Sequence, residues 1–256
     1  MTTDRSEFSD FTLARFGDLC TMVLDRYKPL WFTEAGARSG VLWRHDVDIS
    51  VEQSLRVATI EADLGIFATY FFLPHSLFHN LWAPETAAMA RRIVALGHRA
   101  GLHFDPKFYD EQLNASAYDD LAATERHWLE NLLACEVEAV SFHHIGVLRR
   151  GPPAGDKVGG MVNAYSASIT ERFHYVSDSN GVWRFENLFD VVADAQHEHL
   201  HVLTHPVWWS DEPLPPRRRL QRCIDDGALA QGNWWDATSA RYDRPNIDWP
   251  EGDNGK

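Results

Sequence analysis

The chain has 256 residues, 45% hydrophobic and 24% charged, which is enough for one large α/β domain with a sizeable core and excludes global disorder. Its 24 Lys and Arg against 37 Asp and Glu leave a net charge of −13, which speaks against nucleic acid or an anionic membrane surface as partner. The three cysteines, Cys20, Cys135 and Cys223, stand far apart and form no CxxC pair, so neither a disulfide framework nor a cysteine zinc site is expected.

Residues 8–27 carry Phe11, Phe16, Leu19, Val23 and Tyr27 at helical spacing, with Pro29 as a stop. Val41-Leu42-Trp43 reads as a strand that ends in Arg44-His45-Asp46-Val47-Asp48. Ser50 and Gln53 form a capping box for a helix that stops at Gly65. Ala68–Leu73 is a β-prone buried strand. A helix over 84–96, a strand over 99–104, a helix over 115–134 and a strand over 137–142 follow. The segment 146–162 is rich in Gly and Pro and reads as a long loop bordering the site. Strands are predicted at 173–177, 182–185 and 200–204, then a helix after Pro215-Pro216 and a loose polar tail over 240–256. The basic runs Arg149–Arg150 and Arg217–Arg218–Arg219 touch prolines and read as solvated loop or helix-start residues. No repeat or linker interrupts the chain, so one domain over 1–256 is expected. With no leader-like N-terminus and no apolar run of about 18 residues, the expected location is the cytoplasm.

Thirteen histidines and ten tryptophans are unusual, and their positions matter more than their number. Asp46 and Asp48, His103 and Asp105, His143 and His144, and His205 all follow or end short apolar strands. In a barrel of parallel strands such positions converge on one mouth. Asp46 and Asp48, two residues apart and about 7 Å along an extended chain, point the same way. One oxygen ligand with two imidazoles is a zinc-type or non-haem-iron-type donor set. Each group alone has a plainer role: a helix N-cap for the aspartates, a satisfied core position for each histidine.

These residues resemble the polysaccharide deacetylases of the NodB-homology, carbohydrate esterase superfamily, in a divergent branch. Arg44-His45-Asp46-Val47-Asp48 takes the place of the family's first motif, and Ala68-Thr69-Tyr70-Phe71-Phe72 resembles its second strand. Leu96-Gly97-His98 with Gly101-Leu102-His103 is similar to its Gly-His-Glu…His segment. Ser141-Phe142-His143, Tyr175-Val176-Ser177-Asp178 with Trp183, and Leu203-Thr204-His205-Pro206 stand where its later motifs lie. The likeness covers about residues 38–210. It implies a distorted (β/α)7 barrel and metal-dependent removal of an N- or O-acetyl group from a saccharide, here a precursor for surface polysaccharide.

The resemblance implies Asp46 as base, His205 as acid, and Asp48 and His103 as metal ligands. The family's second histidine ligand is replaced by Lys107, so His143 is expected to supply it, with His98 as the alternative. Arg44 would hold Asp46 ionised. Trp208, Trp209 and Asp178 are the candidate substrate contacts, and Trp234-Trp235 reads as core or rim. One divalent ion is implied, zinc first, with manganese, cobalt, nickel or iron as alternatives. A degenerate barrel that only binds carbohydrate, or an amidohydrolase acting on a small cyclic amide, is the rival expectation.

Overall fold

A computed structural model describes residues 5–36, 38–109, 115–144 and 153–248. The first helical region is split. A 3-10 stretch, Arg5–Phe11, precedes α1 (Leu13–Leu24), because Thr12 leaves the helical conformation and its hydroxyl accepts from the Arg15 amide. The single helix expected over 8–27 is therefore two pieces. Phe16, Leu19, Cys20 and Val23 form the buried face of α1.

From there strands and helices alternate. The strands are β1 (Gly40–Val47), β2 (Thr69–Phe72), β3 (Arg99–Phe104), β4 (Val137–Phe142), β5 (Lys157–Val158), β6 (Met161–Asn163), β7 (His174–Ser179), β8 (Val182–Trp183) and β9 (His199–Thr204). The helices are α2 (Val51–Leu64), α3 (Pro84–Ala95), α4 (Ala115–Leu133), α5 (Ala167–Thr170), α6 (Leu188–Asp194) and α7 (Pro216–Arg241). The local chemistry sets several boundaries. Ser50 Oγ accepts from the Gln53 amide at 3.0 Å to start α2, and Gly65 ends it at φ +80°. The expected long loop is partly structured: β5 and β6 lie within it, while residues 145–152 fall outside the described set. The Arg149–Arg150 run is also outside it.

The strand order is β5-β6-β4-β3-β2-β1-β9-β7-β8, and seven of these strands run parallel. Because β9 returns beside β1, the parallel strands follow one another around a ring. A seam between β6 and β7 carries no ladder among the described residues. This is a distorted (β/α)7 barrel. Short β5 and β8 add antiparallel edges to it.

Side chains alternate between the two faces of each strand. Val41, Trp43, Tyr70, Phe72, Leu102, Val140, Val176 and Val202 pack outward with α1, α2 and the other helices. Leu42, Phe71, Ala139, Ala164 and Phe173 point inward and, with Leu30 and Phe32, fill the barrel floor. Burying a ring such as Phe71 contributes roughly 1.5–3 kcal/mol. It also dictates its neighbour: a Cβ on Gly101 would lie 2.5 Å from the Phe71 ring. Among the described residues, no helix is long and apolar enough to cross a membrane. The three cysteines are free.

Candidate metal centre and its flanking residues

The inward face of β1 continues upward from Leu42 to Arg44 and Asp46. Arg44 is fully buried and Asp46 is 3% exposed. Arg44 Nε donates to Asp46 Oδ1 at 2.9 Å and Nη2 donates to Oδ2 at 2.8 Å. Nη2 also meets the Tyr165 hydroxyl at 2.8 Å. Burial alone would raise the Asp46 pKa. The Arg44 charge and hydrogen bonds, together with the neighbouring His103 and His205, outweigh it and hold the carboxyl well below the usual range.

Asp48 lies one residue past β1, where the chain turns toward α2, and the Ser76 hydroxyl donates to its carbonyl at 2.6 Å. His103 comes from the upper end of β3, and His143 follows β4, its amide still bonded to Phe104 O at 2.8 Å. His103 Nε2 lies 3.2 Å from Asp48 Oδ1 and 3.2 Å from His143 Nδ1. His143 Nδ1 is 3.8 Å from the same Asp48 oxygen. One ligand atom from each residue lies within 4.8 Å of the other two. This is the trio expected from the sequence.

The trio fits a divalent ion. Asp48 Oδ1 is buried and accepts no hydrogen bond from any described residue. His103 Nδ1 is engaged by Ser141 Oγ at 2.6 Å. With Nδ1–H donating there, the Nε2 lone pair faces Asp48 and His143, as a ligand held by an outer partner does. Burial pulls the His103 pKa down to about 3 and the His143 pKa to about 4, so both rings are neutral near pH 7. Burial, with the neighbouring Asp46 charge, pushes Asp48 up to about 7. A cation at this point would offset that cost.

Lys107 stands apart from the trio. Pro106 turns the chain out of β3 into a 3-10 turn capped by Asp105, whose carboxylate accepts from the Lys107 amide at 3.0 Å. Lys107 is thereby exposed. His98 is not the alternative. Its Nδ1 accepts from the Ala68 amide at 3.2 Å and its Nε2 meets Ala58 O at 2.9 Å, deep in the core.

His205 follows β9 and places Nε2 3.8 Å from Asp48 Oδ2. Asp178, from β7, accepts from the His205 amide at 2.9 Å and from its Nδ1. Burial would lower the His205 pKa, but the Asp178 charge and hydrogen bond reverse it and raise it to about 9. Asp178 is 1% exposed, so the structure places it behind His205 rather than on an open substrate wall. Trp208 and Trp209 are likewise buried, at 8% and 0% exposure. Trp209 packs on Phe11 and Phe16, which takes its ring off the barrel mouth. Trp234 and Trp235, expected as core or rim, are more than half exposed on α7. Arg217 and Arg218 are exposed as expected, but Arg219 is buried.

Tyr165 was not singled out in the sequence, and Ser141 was named only within a motif, with no role of its own. Ser141 could have been found from its place two residues before His143 on the same face of β4. Nothing local marks Tyr165, which reaches Arg44 across 121 residues.

No protein-family model matches the chain, and no curated protein matches its sequence. Among solved structures, a mutant of BA3943, a CE4 family pseudoenzyme with restored enzymatic activity, is 16% identical with a TM-score of 0.43, over 77% of this chain and 65% of that one. Wild-type BA3943 from Bacillus anthracis is 18% identical with a TM-score of 0.42, over 76% and 62%. The chain thus spans less than two thirds of BA3943. The chitin deacetylase from the fungal pathogen Colletotrichum lindemuthianum is 15% identical with a TM-score of 0.43, over 78% and 86%. The chain is similar in overall arrangement to proteins of carbohydrate esterase family 4, at low identity and low TM-score.

Proposed function

We propose that the chain is a metal-dependent hydrolase that removes an N- or O-acetyl group from a saccharide, acting in the cytoplasm on a precursor of surface polysaccharide. The observation that carries this reading is the meeting of Asp48, His103 and His143 around a buried, unpartnered Asp48 oxygen, between an ionised Asp46 and a protonated His205. When bound, a divalent ion supplies Lewis acidity, which makes water nucleophilic near neutral pH and polarises an acyl oxygen. Zinc is the first choice for one carboxylate and two imidazoles. Asp46 takes the proton of the attacking water. His205 gives a proton to the departing nitrogen or oxygen as the bond to the acyl carbon breaks, leaving acetate and a free amine or hydroxyl. Asp178 keeps His205 charged and fixes its ring, and Arg44 keeps Asp46 charged.

One observation favours the rival reading of a barrel that binds saccharide without turning it over. Both Asp46 oxygens are taken by the Arg44 fork, and so strongly acidic a group is a weak base. The test uses the purified full chain. Elemental analysis should find one divalent ion in the wild type and none in Asp48→Ala. Acetate release from acetylated oligosaccharides should fall by about 10²–10⁴-fold in Asp46→Asn while the metal stays. A fully loaded Asp48→Ala protein rejects the centre. A loaded wild type that releases no acetate leaves the binding reading in its place.

A further inference from the structure

An open cleft of about 570 Å³ lies between the segment leading into α3 and the outer face of α4, lined by His75, Trp82, Trp128, Asn131 and Leu132. None of these belongs to the metal trio. Among the described residues of the lining there is no Asp, Glu, Lys or Arg. Trp82 and Trp128 are exposed at 47% and 42%, so both indoles are within reach of a ligand. Exposed aromatic surface gathered in a cleft marks a binding site more often than a single exposed ring does. On α4, Glu125, Trp128, Asn131 and Leu132 follow at helical spacing and share one face. Arg91 Nη1 donates to the Leu132 carbonyl at 2.8 Å and ties α3 to α4 beside the cleft.

A buried carboxylate holds the cleft in shape. Glu125 is fully buried, and its Oε1 meets His75 Nε2 at 3.0 Å and accepts from the Tyr109 hydroxyl at 2.6 Å. The His75 ring lies flat on Phe108 at 3.5 Å and edge-on to Trp128 at 6.4 Å. His75 is thus fixed in place with Nε2 spent on Glu125, and its Nδ1 meets no hydrogen-bond partner among the described residues. Asn131 spends its amide N–H on the His127 carbonyl at 2.8 Å, and its Oδ1 accepts from no described residue. The lining therefore joins flat aromatic surface to two polar atoms that have no protein partner.

We propose that this cleft is a saccharide-binding site separate from the metal centre, taking neutral pyranose rings with their C–H faces on Trp82 and Trp128 and their hydroxyls on Asn131 Oδ1 and His75 Nδ1. A pyranose chair has an apolar C–H face and a rim of hydroxyls, which matches aromatic surface edged by fixed polar atoms. The lining holds no carboxylate or basic side chain to select a charged ligand, and His75 is already paired with Glu125. Leu132 is the one aliphatic residue among the described lining, too little for a lipid or an apolar peptide. The volume falls within the roughly 300–1,000 Å³ of small-ligand clefts. The cleft is also continuous with the loop at the metal centre, because Ser76, next to His75, donates to the Asp48 carbonyl. In ligand class the inference rests on the saccharide reading above; in its place and residues it does not.

The experiment titrates the full chain with tetra-N-acetylchitotetraose and, separately, with xylotetraose, followed by calorimetry. It needs no turnover, so a chain that releases no acetate can still pass it, and an active deacetylase can still fail it. Saturable binding of at least one sugar at millimolar concentration or below is expected. Trp82→Ala and Trp128→Ala should each weaken it roughly tenfold, and Trp128→Phe, which keeps an aromatic face, should weaken it less. Asn131→Ala should weaken it roughly threefold. Asp48→Ala should leave it intact, which separates this cleft from the metal centre. Thermal melts check that each variant is folded; should Trp128→Ala fail, Trp82→Ala and Asn131→Ala decide. Absence of saturable binding by the wild type overturns the proposal. So does undiminished binding in the folded Trp82→Ala, Trp128→Ala double variant, or binding lost in Asp48→Ala, either of which puts the sugar elsewhere. A dimer in light scattering that Trp128→Ala dissolves and the sugars do not would make the patch a contact between copies and overturn it as well.

Discussion

Replacing Arg44 by Met tests the buried pair beneath the centre. Arg44 and Asp46 are 0% and 3% exposed and share two hydrogen bonds of 2.9 and 2.8 Å. Removing one partner of such a pair leaves an uncompensated buried charge, at a cost of about 3–5 kcal/mol. Domains of this kind are stable by only about 5–15 kcal/mol in all, so the loss is large. Urea unfolding at neutral pH, followed by tryptophan fluorescence, should show it. The double variant Arg44→Met with Asp46→Asn removes both charges and should recover much of the loss. The pH profile supplies a second signature. In the wild type, the Asp46 pKa is depressed, so its contribution is full above the unfolded value of about 4 and is lost as pH falls through the folded value. In Arg44→Met, burial dominates and the folded pKa rises above the unfolded one. Stability of that variant should then fall as pH rises past about 4. A loss below about 1 kcal/mol, typical of an exposed pair, with no recovery in the double variant would refute the reasoning.

Two further outcomes follow from the site. Asp178→Asn removes the charge that raises His205 to about 9, so an NMR titration of the His205 ring should show a lower pKa. Because an acid acts only while protonated, the alkaline limb of acetate release should move down in step, and an unmoved limb would remove His205 from the acid role. Lys107→His puts a second imidazole four residues after His103, but on an exposed turn. Zinc affinity measured by competition should stay unchanged, whereas His143→Ala should lose it; a tighter Lys107→His protein would return the second ligand to position 107.

Much of the fold was legible locally. Val41–Trp43 and Ala68–Leu73 are apolar runs too short for helices, Ser50 and Gly65 mark both ends of α2, and the polar groups fall at strand ends. Parallel strands carry those groups to one rim, and the family resemblance picked Asp48, His103 and His143 out of them before any coordinates. The break at Thr12 and the short strands β5 and β6 were not legible, because the first hides within a helical apolar spacing and the second within a Gly/Pro-rich run.

What the tertiary structure alone decided are contacts between residues far apart in the chain. The pairing of β9 with β1 closes the ring on that side, and this brings His205 within 3.8 Å of Asp48. The docking of Tyr165 on Arg44 and of Asp178 behind His205 has no local periodicity to announce it. Trp209 and Arg219 read as rim and solvent residues from their neighbours, yet both are buried when α7 and the turn after β9 meet Phe11. Sequence spacing records which face of its own element a side chain occupies. Whether that face meets solvent, a carboxylate or a phenyl ring depends on which other element lies across from it, and only packing of the whole chain sets that.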